Sequence, residues 1–177
     1  MLSVNNPVHK FALTAVLLSL ALVLSLLENY LLSLVSLTIP GIRLGVANLC
    51  VLTALYLMGF FPALTICILK SMLTGIFSGA LTSILFSLMG GILSLLVMYL
   101  VKTFGQKWFS IVGVSIFGAC MHNVGQICAA ILLTATPQFI SYLPILLIAG
   151  VVTGILIGLI CQGVISRLGA IAKPTPS

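Results

Sequence analysis

Long apolar runs separated by short polar breaks fill the chain, and their lengths predict membrane-spanning helices. A helix needs about 20 apolar residues to cross the hydrocarbon core of a bilayer. The predicted spans are residues 11–37, 46–59, 62–78, 80–101, 109–134 and 145–165. We therefore expect an all-α bundle of six transmembrane helices that forms a single domain over residues 1–177. The second run is shorter than a full crossing requires.

The break between the first two runs, Thr38–Leu49, is the most unusual of these connections. It contains the turn-forming pair Pro40-Gly41 and a charged residue, Arg43. Only seven Lys or Arg residues and one acid are present in 177 residues. A fixed cation at this break is therefore a candidate for a functional role rather than a random surface charge.

The amino-acid composition also indicates an integral membrane protein. The chain is 62% hydrophobic and 5% charged, and its mean hydropathy is +1.39. Soluble domains carry about 25% charged residues. The basic residues are scattered, which excludes the dense basic face of a nucleic-acid-binding protein. Five cysteines lie within apolar runs without a C-x-x-C spacing, which is typical of small buried side chains.

Basic residues are distributed unevenly between the two predicted sides of the membrane. Six spans with both termini in the cytoplasm would place five basic residues on the cytoplasmic side: Lys10, Lys102, Lys107, Arg167 and Lys173. Only Arg43 would lie outside. Because cytoplasmic segments are enriched in Lys and Arg, this asymmetry predicts cytoplasmic termini and an outer location for Thr38–Leu49.

Two charged residues fall inside predicted spans. Glu28, the one acid of the chain, lies in span 1, and Lys70 lies at the middle of span 3. Charges at this depth are costly and normally face a cavity or a partner, so both are candidate binding residues. Two alternatives stay open: a structural ion pair between spans 1 and 3, or a Lys70 side chain that extends to the membrane interface.

Span 5 contains a polar cluster in its middle. His122 and Gln126 are four residues apart and share a helix face, and Asn123 lies about 100° around the helix. These side chains are suited either to lining a polar pocket or to joining helices by hydrogen bonds. Arg43 would suit an anionic substrate group if it points inward, and a solvated loop arginine is the alternative. Asn48 is placed to cap or unwind the start of span 2.

The predicted substrate-binding set is therefore Glu28, Arg43, Asn48, Lys70, His122, Asn123 and Gln126. The small number of acidic residues argues against catalysis. The chain has no Asp and a single Glu, whereas a Mg²⁺-dependent diphosphate enzyme needs several carboxylates. A nucleophile elbow and a P-loop are also absent from the sequence. We expect a protein that is not an enzyme and that holds neither metal nor cofactor.

Three segments together resemble the Gx transporter family, which is also catalogued as heptaprenyl diphosphate synthase component I. They are IPGIRLGVANLCVLTALYLMG (Ile39–Gly59), the basic residue Lys70, and GVSIFGACMHNVGQ (Gly113–Gln126). The resemblance implies a relation to the substrate-binding components of energy-coupling factor (ECF) transporters. Those are six-span bundles that capture a small molecule on the outer side and engage a coupling subunit with two ATPases. Ala15 and Ser19 would stand where that family contacts the coupling subunit.

Three functional hypotheses follow. The first is a multi-pass protein of the bacterial plasma membrane, of the ECF substrate-component type, which binds a small anionic or zwitterionic solute in an outward-facing pocket. The second, implied by the family's other name, is a non-catalytic membrane accessory subunit of heptaprenyl diphosphate synthase in isoprenoid and menaquinone biosynthesis. The third is a structural scaffold in which the polar residues only join helices.

Overall fold

Six α-helices contain most of the residues that the computed structural model describes, which are 7–34, 45–79, 81–105 and 108–172. The helices are α1 (Pro7–Leu34), α2 (Asn48–Leu57), α3 (Phe60–Phe77), α4 (Leu81–Phe104), α5 (Ile111–Thr134) and α6 (Leu143–Ala172). A short 3₁₀ helix, Pro137–Tyr142, joins α5 to α6, and the described ranges contain no strand. The predicted all-α class is confirmed.

Five of the helices, all except α2, are long and apolar enough to cross a membrane. The second helix has ten residues, so it is about 15 Å long and reaches through only half of a hydrocarbon core about 30 Å thick. The predicted shortness of this run is therefore confirmed. Other boundaries differ: α1 begins at Pro7 rather than residue 11, and α6 continues to Ala172 rather than ending at residue 165.

The short helix α2 lies at the centre of the bundle. Helices α3, α4, α5 and α6 pack in sequence, α1 packs against α3, and α2 contacts α1, α3, α4 and α6. Consecutive residues of α2 from Cys50 to Leu55 are all buried. A helix that is apolar on every side is stable only when its neighbours enclose it. This enclosure fixes the position of both ends of α2.

Helices α5 and α6 approach each other at backbone distance. A methyl group on Gly154 would lie 2.7 Å from the Cα of Ile116, and one on Gly158 would lie 2.6 Å from the Cα of Val112. Both distances are too short for a real contact, so these two positions accept only glycine at this helix spacing. Small residues four apart commonly permit such close packing in membranes.

The C-terminal end of α2 is held by a lysine from α4. The Lys102 ammonium donates to the Leu55 carbonyl at 2.7 Å and lies 4.6 Å above the centre of the Tyr56 ring. Carbonyl groups in the last turn of a helix lack partners within the helix and carry its negative dipole end. Lys102 therefore stabilises this end of α2 with both a hydrogen bond and a complementary charge.

Candidate binding site at the start of the half-helix

The N-terminal end of α2 is held by the one acid of the chain. Glu28, on α1, is 6% exposed. Its Oε1 accepts a hydrogen bond from the Gly45 amide at 2.8 Å, and its Oε2 accepts one from the Val46 amide at 3.2 Å. Free amides and the positive dipole end at the start of a helix both favour an anion. The carboxylate thus joins α1 to the chain that enters α2.

Gly45 is the residue that allows this approach. Its backbone has φ = +78°, a conformation that glycine adopts without steric penalty. A methyl group on it would lie 3.1 Å from Cδ2 of His122 and 3.3 Å from the amide nitrogen of Asn48. The chain before α2 therefore packs directly on the imidazole of α5.

His122 connects three elements at this point. On its other side it lies against α4, where a methyl group on Gly90 would come within 2.8 Å of Nδ1. Its Nε2 is 3.1 Å from the amide nitrogen of Gln126, one turn further along α5. Both side chains are buried. The imidazole is therefore fixed in position by glycines on two sides and by Gln126.

Lys70 brings a positive charge to the same region. Its side chain on α3 is only 2% exposed. An ammonium at this depth is costly to bury, which is why such residues commonly serve binding or transport.

Asn48 is the first residue of α2 and is 5% exposed. It does not cap the helix as the sequence suggested, because no side-chain capping bond forms there and Glu28 accepts the preceding amides instead. Its carbonyl oxygen Oδ1 is buried and accepts no hydrogen bond from any described residue. A buried acceptor without a donor costs about 1–3 kcal/mol.

These polar groups lie at similar heights in the bundle. Asn48 is nine residues from the end of α2, Lys70 is ten residues from the start of α3, and His122 is eleven residues from the start of α5. At a rise of 1.5 Å per residue, each lies roughly 14–17 Å from the same end of the bundle. They therefore form one polar layer, near half depth, at the start of α2.

Asn123 makes a different kind of contact from the residues of this layer. The Asn123 amide donates to the Leu146 carbonyl of α6 at 2.6 Å, which is the helix-joining role that the sequence left open. Arg43 lies outside the described residues, and its role stays a prediction. Ala15 and Ser19 are exposed on α1, whereas the second small pair of that helix, Ala21 and Ser25, is buried.

Sequence reasoning missed the two contacts that hold α2. It identified Glu28 as a pocket residue and Lys102 as a loop charge, but their partners are backbone groups that no side-chain pattern reveals. The sequence did contain one indication of these contacts. Glu28 is the one acid of the chain and lies in a span, where a carboxylate needs hydrogen-bond donors. Within the described residues, no three His, Cys, Asp or Glu side chains are grouped to hold a metal.

Comparison with known proteins gives one match. The family described as heptaprenyl diphosphate synthase component I matches residues 17–164, which covers α2 to α5 completely and most of α1 and α6. No curated protein and no solved structure shows a significant match.

Proposed function

Since the chain belongs to the heptaprenyl diphosphate synthase component I family, we propose that it is a membrane protein that binds and transports a small solute. The solute is anionic or zwitterionic, and it binds in the polar layer at the start of α2. Glu28, Asn48, Lys70, His122 and Gln126 form this site, with Arg43 as a further binding residue predicted from the sequence. Asn123 contributes by joining α5 to α6.

The observation that carries the proposal is the convergence of a buried cation and an unsatisfied buried acceptor at a helix that stops at half depth. Lys70 and Asn48 are 2% and 5% exposed, and both lie in the polar layer at the height where α2 begins. Interrupted helices whose ends meet at mid-membrane form the substrate sites of many transporters. A ligand with a hydrogen-bond donor would satisfy the buried Oδ1 of Asn48.

A purely structural role for the polar residues would not require an unsatisfied buried acceptor such as Asn48 Oδ1. Helices are joined efficiently by contacts such as the Ser71–Ser87 hydroxyl pair at 2.8 Å or the Asn123–Leu146 bond. Neither requires a buried ammonium or leaves an acceptor unsatisfied. The unsatisfied Oδ1 of Asn48 costs folding free energy, which a binding function would explain.

The uneven distribution of basic residues supports an orientation with cytoplasmic termini, in which the site opens outward. Transport in this scheme consists of capture on the outer side followed by reorientation driven by partner subunits, since the sequence contains no nucleotide-binding motif. The exposed Ala15 and Ser19 on α1 are the proposed contact with an ECF coupling subunit.

Ligand capture by purified protein tests this function. Protein in nanodiscs is incubated with a bacterial metabolite pool, washed and extracted, and bound compounds are identified by mass spectrometry. Wild type is expected to enrich a compound that Lys70→Ala and His122→Ala lose by at least tenfold, because both variants alter the polar layer. Lys102→Met is the control, since it removes a lysine that only holds the far end of α2. Equal capture by the two site variants and wild type would refute the site.

A second candidate function is favoured by the family description. A membrane accessory subunit of a prenyl diphosphate synthase would need no metal-binding carboxylates of its own, and the one acid of this chain is bonded to the Gly45 and Val46 amides. This role predicts co-purification with a soluble Asp-rich synthase and loss of long-chain product when the gene is deleted. Normal quinone chain length in the deletion strain would exclude it.

A further inference from the structure

Large aromatic side chains are concentrated at one end of the bundle, which we call the aromatic end. It consists of the starts of α1 and α3, the end of α4 and the turn that follows α4. The four most exposed large apolar side chains of the described residues lie here: Phe11 (79%), Phe61 (79%), Phe104 (82%) and Trp108 (85%). All four are at or near helix ends, where a membrane-spanning bundle meets the lipid headgroups.

Contacts between the helices show that these segments lie at the same end. The Phe60 ring at the start of α3 packs on Tyr99 near the end of α4, with ring centres 4.9 Å apart. The Thr14 hydroxyl of α1 lies 3.6 Å from the sulfur of Met58, directly after α2. Gly158 packs against the start of α5, so the last turns of α6 also belong to the aromatic end.

The turn after α4 presents its indole outward. The Gly105 carbonyl accepts hydrogen bonds from the amides of Trp108 and Phe109, both at 2.9 Å. The Phe109 ring packs edge-on against the Phe117 ring of α5, with centres 5.2 Å apart. Trp108 makes no ring contact within the described part of the chain. The backbone of the turn is therefore held in place while the indole is left for an external contact.

Positive charge is concentrated at the same end. Lys10 lies in the first turn of α1, Lys102 lies in the last turn of α4, and Arg167 is exposed near the end of α6. Glu28 is the only acidic side chain of the sequence, and it bonds to amides at the opposite end of α2. An acidic partner for these cations therefore has to come from outside this chain.

We propose that the aromatic end is a binding surface for anionic phospholipids, with Phe104 and Trp108 in the headgroup region and Arg167 beside lipid phosphates. Tryptophan favours this region because it combines an apolar ring with an N–H donor. Each basic residue near an anionic membrane surface strengthens binding about fivefold. This surface is separate from the polar layer at the start of α2 and does not depend on solute binding.

The arrangement of the rings favours a lipid surface over a protein partner. Helices α1, α3 and α4 pack in sequence around α2, and each contributes one ring. The rings thus follow the circumference of the bundle instead of forming a single patch. A bilayer surrounds the bundle and contacts all of them at once, whereas a docked protein covers one side.

Trp108 itself provides the measurement, because it is the only tryptophan of the chain. Protein is placed in phosphatidylcholine nanodiscs with increasing fractions of brominated phosphatidylglycerol or, in a parallel series, brominated phosphatidylcholine. Bromine on the acyl chain quenches a nearby indole, so the two series give the relative affinity of the two lipids. Wild type is expected to prefer phosphatidylglycerol at least about threefold. The preference should disappear at about 1 M salt, where the Debye length is about 3 Å.

Variants of the exposed cations connect the preference to named residues. Arg167→Gln is expected to weaken it at least about twofold, and Arg167→Lys is the matched control that keeps the charge and the preference. Phe11→Trp combined with Trp108→Phe moves the reporter to α1. In that background Lys10→Gln is expected to weaken the preference by a similar factor. Thermal unfolding midpoints verify that each variant is folded.

Each contrary result overturns the proposal. Equal quenching of wild type by the two brominated lipids would show that the surface does not select anionic headgroups. An unchanged preference in Arg167→Gln and in Lys10→Gln would show that these cations do not contact the headgroups. An indole that neither lipid quenches, but that aqueous iodide quenches fully, would instead indicate a docking surface for a protein partner. Solute capture is measured separately, so none of these results changes the test of the proposed function.

Discussion

The two ends of α2 are held by opposite charges, yet they lie in different surroundings. Glu28 meets the amides at the N-terminal end, and Lys102 meets a carbonyl at the C-terminal end, so each charge complements the dipole of the helix. Beside Gly45, whose amide Glu28 accepts, lie other buried polar groups, Asn48 and His122. Lys102 instead lies over the Tyr56 ring and bonds to the Leu55 carbonyl.

The pairing of a charge with the helix dipole therefore has a different role at each end of α2. At the C-terminal end the charge anchors a short helix that its own length would not stabilise. At the N-terminal end the same kind of contact also positions the chain that packs on His122 and presents Asn48. We therefore expect substitutions at the C-terminal end of α2 to change stability alone. Substitutions at the N-terminal end should change both stability and solute binding.

The largest effect is expected from Glu28→Ala. The change leaves the Gly45 and Val46 amides without their acceptor, which should lower the free energy of unfolding by about 3 kcal/mol or more and abolish capture. Unfolding in detergent, followed by circular dichroism, measures it. Glu28→Gln retains one acceptor oxygen and is expected to lose less. Full stability in Glu28→Ala would show that the carboxylate does not hold α2.

Gly45→Ala should have an intermediate effect of about 2 kcal/mol, because it adds strain at a positive φ and a contact with His122. Gly79→Ala is the matched control, since Gly79 also has a positive φ but nothing lies within 4 Å of an added methyl group. The difference between the two unfolding free energies isolates the contact of the added methyl group with His122 and Asn48. Identical values would mean that this contact is unimportant.

The smallest effect is expected at the other end of α2. Lys102→Met removes the bond to Leu55 and the contact with Tyr56, and should cost about 1 kcal/mol without changing the affinity for captured solute. Isothermal titration beside unfolding measurements checks both parts. Lys102→Arg should restore most of the stability. A tenfold loss of affinity in Lys102→Met would show that the two ends are coupled.

Much of the fold could be predicted from the sequence because the length of each apolar run indicates whether it can form a membrane-spanning helix. The shortness of the second run, residues 46–59, follows from the same count of apolar positions, and α2 is accordingly a half-length helix. Helix ends were less predictable, since the residues beyond the apolar run at Pro7 and toward Ala172 continue the helix without a composition change that marks its end.

The candidate site was predictable only as a set of polar residues. His122 and Asn123 are adjacent and equally polar, but the first packs between Gly45 and Gly90 while the second bonds to α6. Residues one apart on a helix face different neighbours, so only the tertiary arrangement separates their roles. The bonds of Glu28 to backbone amides were equally inaccessible, because every residue except proline offers the same donor.

The glycine contacts between α5 and α6 also constrain how this bundle can move. Gly154 and Gly158 place the α6 backbone directly on Ile116 and Val112, so neither helix can slide along the other without first separating from it. The pair forms a stationary wall that carries His122 and Gln126. Glu28 joins α1 to the chain that enters α2, so any displacement of α1 relative to this wall would also displace the start of α2.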